Sequence, residues 1–356
     1  MKTLVISSRA EKFLLSDACA YDAEDVAIAA LGADLMTART DTATLARRYD
    51  LVLIFGVSFD RVREIKTQLL STVRDRISGP VVAYIFGAYG ALVRDTKHPL
   101  RQLIGPRKTA FSDFDRLYLG IGDEVAEIAT CLNVETRYLP MAANVLGAAA
   151  QAYAGAPDRP IAVNAFGRQK ADILNALSDR LNRPDSRGLV YYTNLLRIGE
   201  AVDLFRYRAM FWQVLRQSRV STAFDHFFTD PQTARLSYVG PRWFEALAAG
   251  TVVAGVAPQT ADRAALLDWE DATIDLSADP AAATDQMLAL LADDARLKAA
   301  SARNLAQMSL RHDWSHRLSD ILATEGIAEP ASLERYQRRL KDNAARVAQQ
   351  PLRARA

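Results

Sequence analysis

Short apolar runs rich in β-branched residues alternate with helix-period segments along most of this 356-residue chain. That alternation admits few folds. A strand that is apolar on both faces must be covered on both faces, which points to mainly parallel sheets flanked by helices. In the first half, strands are expected over 3–7, 51–55, 81–86, 117–121 and 136–139, with helices near 23–31, 60–73 and 123–132. In the second half, strands are expected over 161–166, 189–192, 220–224, 252–256 and 273–275, with helices over 170–181, 204–216, 280–291 and 297–308. The stretch 147–160 mixes Ala and Gly with Pro near the middle of the chain, as a linker does. Two α/β domains therefore follow, over 1–150 and 158–313, with C-terminal helices over 314–356. In the helix at 204–216, Tyr207, Met210, Phe211, Val214 and Leu215 form a stripe at helical spacing, read as core.

Composition narrows the function classes. Half the residues are hydrophobic, a quarter are charged and the net charge is +2, which gives no electrostatic footprint for nucleic acid. The basic character lies in the tail, where residues 329–356 carry seven Arg/Lys against three Asp/Glu. The segment 332–349 reads as helical and polar nearly all round, hence solvated or crossing between domains. Its charge suits weak contact with anionic lipid head groups, but a solvated helix face is the favoured explanation. Cys19 and Cys131 make neither a disulfide framework nor a zinc pattern and read as small buried apolar residues. No run has the length of a membrane span and the first nine residues are too short for a signal peptide, so a cytoplasmic location is expected.

The segment 235–250, Arg-Leu-Ser-Tyr-Val-Gly-Pro-Arg-Trp-Phe-Glu-Ala-Leu-Ala-Ala-Gly, carries the chemistry. Gly240 allows close approach of a ligand, Pro241 suits the first helical position, and Gly250 sits where a helix ends, so a helix is expected over 241–249. Free amides at its start attract an anion, and Arg242 adds a forked donor matched to phosphate oxygens. Glu245 projects from the same face one turn deeper and can accept two hydrogen bonds from a vicinal diol such as that of a ribose. An ordinary helix with an Arg242–Glu245 surface ion pair explains the same residues.

Arg235-Leu-Ser-Tyr, the 242–250 segment, Phe166-Gly-Arg-Gln169, Tyr138-Leu-Pro-Met-Ala-Ala-Asn144 and His312-Asp-Trp-Ser-His-Arg317 together resemble one known family over roughly residues 110–322. The chain resembles glycosyltransferases of the GT-B architecture, two Rossmann-like domains facing across a cleft. The likeness is to the bacterial group with a spore-maturation-type C-terminal domain. The resemblance implies a nucleoside-diphosphate sugar as donor substrate, no other cofactor, and a glycan, lipid-linked sugar or protein as acceptor, as in polysaccharide biosynthesis. Many members carry a Glu, seven residues and a second Glu. Here the second is Glu245 and the first is Ser237.

In such a site Arg168 and Arg242 would stabilise the departing diphosphate without a metal. Gly167 and Arg168 follow a strand at the carboxyl edge of the sheet, where α/β folds bind ligands. Thr193 and Asn194 are placed to meet the base, and Ser237 and Tyr238 to line the sugar pocket beside Gly240 and Pro241. For a catalytic base, Asp17, Asp22, His98 and Asp113 are candidates by residue type.

Three other patterns have plainer explanations. Asp113-Phe-Asp115 matches a metal-holding Asp-x-Asp triplet but reads as a turn cluster. His312 and His316 have the spacing of metal ligands without a third ligand. His226 reads as a core histidine. Two other functions fit the same residues: a nucleotide-sugar epimerase, which needs no acceptor, and a non-catalytic sugar-nucleotide-binding protein. A dinucleotide dehydrogenase is disfavoured because Ser7-Ser-Arg-Ala replaces a glycine-rich fingerprint after the first strand.

Overall fold

The computed structural model describes residues 1–9, 17–87, 111–122, 134–149, 159–186, 189–194, 203–229 and 237–349, with isolated positions between 123 and 133. It divides into two compact units. One comprises Met1–Ala142, Ile198–Leu204 and Trp314–Arg338, the other Ala143–Arg197, Phe205–Asp313 and Arg339–Ala356.

The first unit holds six strands, β1 (Thr3–Ile6), β2 (Asp34–Met36), β3 (Leu51–Gly56), β4 (Val81–Ile85), β5 (Arg116–Leu119) and β6 (Glu135–Tyr138). All pair in parallel in the order β2-β1-β3-β4-β5-β6, with Leu4 opposite both Asp34 and Val52. β1, β3 and β4 are buried along their whole length, as expected for strands covered on both faces. Helix α1 (Ala18–Leu31) starts five residues before the expected boundary. Helix α2 (Phe59–Gln68) is capped by Ser58, whose side chain accepts from the Arg61 amide, and gives way to a 3₁₀ segment, Leu70–Arg76, where the sequence pattern predicts one helix to Val73. The helix expected over 123–132 lies almost wholly outside the described residues, and Cys131 entirely so. Cys19 is half-buried.

The second unit has five parallel strands, β7 (Ile161–Phe166), β8 (Tyr191–Asn194), β9 (Ser218–Phe224), β10 (Val252–Val256) and β11 (Ile274–Asp275). Their order is β11-β10-β9-β7-β8. The helices are α3 (Val145–Ala149), α4 (Ala171–Leu181), α5 (Leu204–Gln217), α6 (His226–Thr229), α7 (Pro241–Ala248), α8 (Ala261–Leu266), α9 (Pro280–Ala292) and α10 (Asp294–Arg311). Val163, Ile173, Leu177, Val220, Met287 and Ala300 lie at the centre of its core. The buried face of α5 is rotated from the expected stripe: Phe211, Trp212, Val214 and Leu215 are buried, whereas Met210 is 40 % exposed.

The C-terminal segment belongs partly to the first unit. In α11 (Trp314–Thr324) the Trp314 ring lies edge-on to Tyr84 and Phe86 at 4.9 and 5.3 Å, and Arg317 Nε donates to the Pro140 carbonyl at 2.9 Å. Burial of a ring this large contributes on the order of 3–5 kcal/mol. The last helix, α12 (Ala331–Gln349), is not polar all round: Leu333, Tyr336, Leu340, Ala344 and Val347 form a buried stripe at three- and four-residue steps. No helix among the described residues is long and apolar enough to cross a membrane.

Candidate nucleotide-sugar site

In the second unit the strand order reverses between β7 and β9, and open α/β sheets bind ligands beyond the carboxyl ends of strands at such a point. β7 ends at Phe166, and Gly167 follows with φ +64°, a left-handed conformation that a side chain resists. A Cβ at Gly167 would lie 1.9 Å from Nη2 of Arg242. The glycine thus makes room for that guanidinium, whose Nη1 donates to the Arg168 carbonyl at 3.0 Å. Gln169 ties the two central strands together: its Nε2 donates to the Phe166 carbonyl at 2.8 Å, and Thr222 Oγ1 donates to its Oε1 at 2.8 Å.

Helix α7 brings Arg242 to this strand end. Its N-cap, Gly240, is extended and places no side chain on the first amides, and Pro241 occupies the first turn. Among the described residues, a Cβ at Gly240 would meet only the Tyr238 ring, at 3.4 Å. Burial lowers the Arg242 pKa, Glu245 opposes that shift and Arg168 adds to it, yet an arginine remains a cation at neutral pH. Arg168 is exposed. The strand end therefore collects two guanidinium groups, a bare helix start and a glycine, a set suited to phosphate oxygens.

Glu245, 7 % exposed, lies one turn into α7. It pairs with Arg208 of α5, rather than with Arg242 as the surface-pair alternative requires. Tyr207 is close enough to Arg208, Glu245 and Arg242 to feel their charges, and burial raises its pKa. Ser237 donates its hydroxyl to the Asp225 carboxylate at the end of β9, where the His226 and Tyr238 amides also donate. Burial raises the Asp225 pKa and these hydrogen bonds offset part of the rise. The backbone of Thr193 and Asn194 ends β8 beside β7, with Phe166 opposite Asn194. Arg235 and His98 lie outside the described residues. Arg208, Asp225 and Gln169 are not singled out as site residues by the sequence, because their partners stand 37, 12 and 53 positions away.

Other expected residues are engaged elsewhere. Asp17 is buried against Arg61 at 2.9 Å, Asp22 is buried, Asp113 pairs with Lys66, and Asp115 accepts from the Val81 amide at 2.7 Å. His312 Nε2 lies 2.8 Å from the Leu266 carbonyl, His316 lies within α11, and His226 opens the short α6. A buried group of the first unit has no signal in the sequence: Ser7 Oγ and Arg9 Nε donate to the same oxygen of Glu24 at 2.7 and 2.8 Å. Burial pushes the Glu24 carboxyl up to about 7, against the pull of Arg9 and Ser7.

Comparison with known proteins finds one family to which part of the chain is similar. Residues 171–323, which include Arg208, Arg242 and Glu245, match the family described as glycosyl transferase-like. The match falls within the stretch that carries the sequence resemblance. No curated protein matches the chain significantly. Among solved structures, the chain is similar to Arabidopsis thaliana UGT89C1 complexed with UDP, with a TM-score of 0.34 and 13 % identity over 81 % of this chain and 74 % of that one. It is also similar to the glycosyltransferase of kitacinnamycin, with a TM-score of 0.36 and 12 % identity over 91 % and 98 % of the two chains.

Proposed function

We propose that the second unit binds a nucleoside-diphosphate sugar and that the protein transfers the sugar to an acceptor offered by the first unit, a glycan, a lipid-linked sugar or a protein. The carrying observation is the guanidinium of Arg242, seated over Gly167 and bonded to the Arg168 carbonyl at the start of a helix whose amides no side chain caps. In this reading the diphosphate docks on those amides between Arg242 and Arg168, and Glu245 accepts from the ribose. As the glycosidic bond to the diphosphate breaks, negative charge grows on the leaving oxygen. Fixed cations and amide dipoles stabilise it without reorganising, which is where such sites gain most of their rate. Arginines supply that charge here, so transfer proceeds without a divalent metal.

Supporting the reading are the glycosyl transferase-like match and the position of the residues at the sheet's reversal point. The test is release of nucleoside diphosphate from a panel of nucleotide sugars, with and without oligosaccharide, lipid-linked and protein acceptors, in buffer with and without EDTA. Acceptor-dependent release unaffected by EDTA is expected. Conversion of the donor alone to an epimer indicates an epimerase, and binding without turnover a non-catalytic protein.

A further inference from the structure

The carboxylate assigned to the ribose does not stand alone. Glu245 is buried and its Oε1 is held by Arg208, which comes from a different helix. A buried carboxylate is costly unless a cation and hydrogen bonds compensate it, and the arginine fork also fixes its direction. Arg208 is held in turn. Its guanidinium carbon lies 4.4 Å from the centre of the Phe211 ring and 4.9 Å from that of Trp212. Phe211 rests edge-on against Phe166, ring centres 4.9 Å apart, and Phe166 is the residue before Gly167. Two chains of contact therefore meet at the end of β7. One runs from Arg242 through Gly167, the other from Glu245 through Arg208, Phe211 and Phe166. Each carboxylate oxygen has two acceptor positions, so with Oε1 bound to Arg208 the group keeps Oε2 and one further lone pair for hydroxyl donors.

We infer that Arg208 is a positioning residue for recognition of a ribose diol: it holds and aims the Glu245 side chain so that the carboxylate accepts from the 2′- and 3′-hydroxyls of the bound nucleoside diphosphate. The inference rests on the donor-site reading and adds the group that makes the site discriminate ribose from 2′-deoxyribose. An ion pair serving only the fold would change stability and the affinity for every ligand together. A positioning role changes the ratio of two affinities.

The test is calorimetric titration of the full-length protein with UDP, ADP and GDP, each against its 2′-deoxy counterpart, and with inorganic pyrophosphate. In the wild type, the ribo form of the best nucleotide is expected to bind about 10- to 100-fold more tightly than the deoxy form, the worth of a hydrogen bond to a charged group. Arg208→Met keeps an apolar stem over Phe211 and Trp212. It should bring the ratio below about threefold while pyrophosphate affinity stays within about twofold, since only the charge-assisted contact is removed. Arg208→Lys keeps the charge and loses the fork, and should give an intermediate ratio, which decides the matter if the Met variant does not fold. An unchanged ratio in the folded variants, or an equal fall for nucleotide and pyrophosphate, overturns the role of Arg208 and leaves the donor site standing. A wild type that binds nucleotides with no preference for ribose overturns it as well. If no nucleotide binds the folded wild type, the donor-site reading itself fails and takes this inference with it.

Discussion

The two units share a strand order that reverses beside their first strand, and they treat that point in opposite ways. In the first unit, among the described residues, the charges near the reversal are spent internally: Glu24 takes Ser7 and Arg9, and Asp17 takes Arg61. In the second, Arg168 is exposed, Arg242 lies on a glycine, and the start of α7 carries no side-chain cap. One topology thus carries a buried, ion-paired polar cluster in one place and, in the proposed reading, an anion-binding site in the other. Among the described residues, Arg9 and Arg61 are ion-paired with carboxylates, whereas Arg168 and Arg242 form no ion pair.

The contrast can be broken most forcefully in the first unit. Arg61→Ala removes the cation from buried Asp17 and should cost about 3–5 kcal/mol of stability by denaturant unfolding, with nucleotide affinity of the folded fraction unchanged. A matching loss of nucleotide affinity would erase the distinction between the units. Arg242→Ala should do the reverse. Turnover is expected to fall about 100- to 1,000-fold in a diphosphate-release assay, as for other fixed charge-stabilising donors, with an almost unaltered melting temperature.

A smaller effect is expected from Gly167→Ala. It forces a side chain into a left-handed conformation and onto the Arg242 guanidinium, costing about 1 kcal/mol or more of stability. Pyrophosphate affinity should drop roughly tenfold, about the worth of one displaced charge-assisted hydrogen bond. Affinity equal to that of the wild type would show that the seat of Arg242 is irrelevant to anion binding.

The smallest effect concerns pH. Glu24 titrates near 7 in the folded state, against an ordinary glutamate value of 4.5 for the unfolded chain, so the folded state holds its proton longer. The stability this contributes is complete below about 4.5 and is lost as pH rises through 7. Glu24→Gln removes the titration, so the melting temperature of the wild type should fall more steeply than that of the variant between about pH 5 and 7.5. Parallel curves would contradict the assignment.

Much of the fold is legible in the sequence because it is locally encoded. β7 and β10 begin and end where the apolar runs do, and the Gly-Pro start of α7 is visible as a pattern. β2 leaves no such mark, because three residues with one fully buried side chain make too short a signal. The stripe of α12 is obscured by the charged residues between Leu333, Tyr336, Leu340 and Val347, since four large apolar side chains in 19 residues mimic a solvated helix. Of the site, Gly167, Arg168, Arg242 and Glu245 can be named because each lies at a strand end or within the first turns of a helix. Arg208 cannot, because its link to Glu245 is made by α5 packing back on the sheet, a contact no local spacing records.

The most direct measurement is a crystal structure of the protein with a nucleoside diphosphate bound. The diphosphate oxygens are expected within hydrogen-bond distance of the amides that open α7 and of the Arg242 guanidinium, with the ribose hydroxyls on Glu245. A nucleotide bound elsewhere, with the start of α7 covered by protein atoms, would contradict the account.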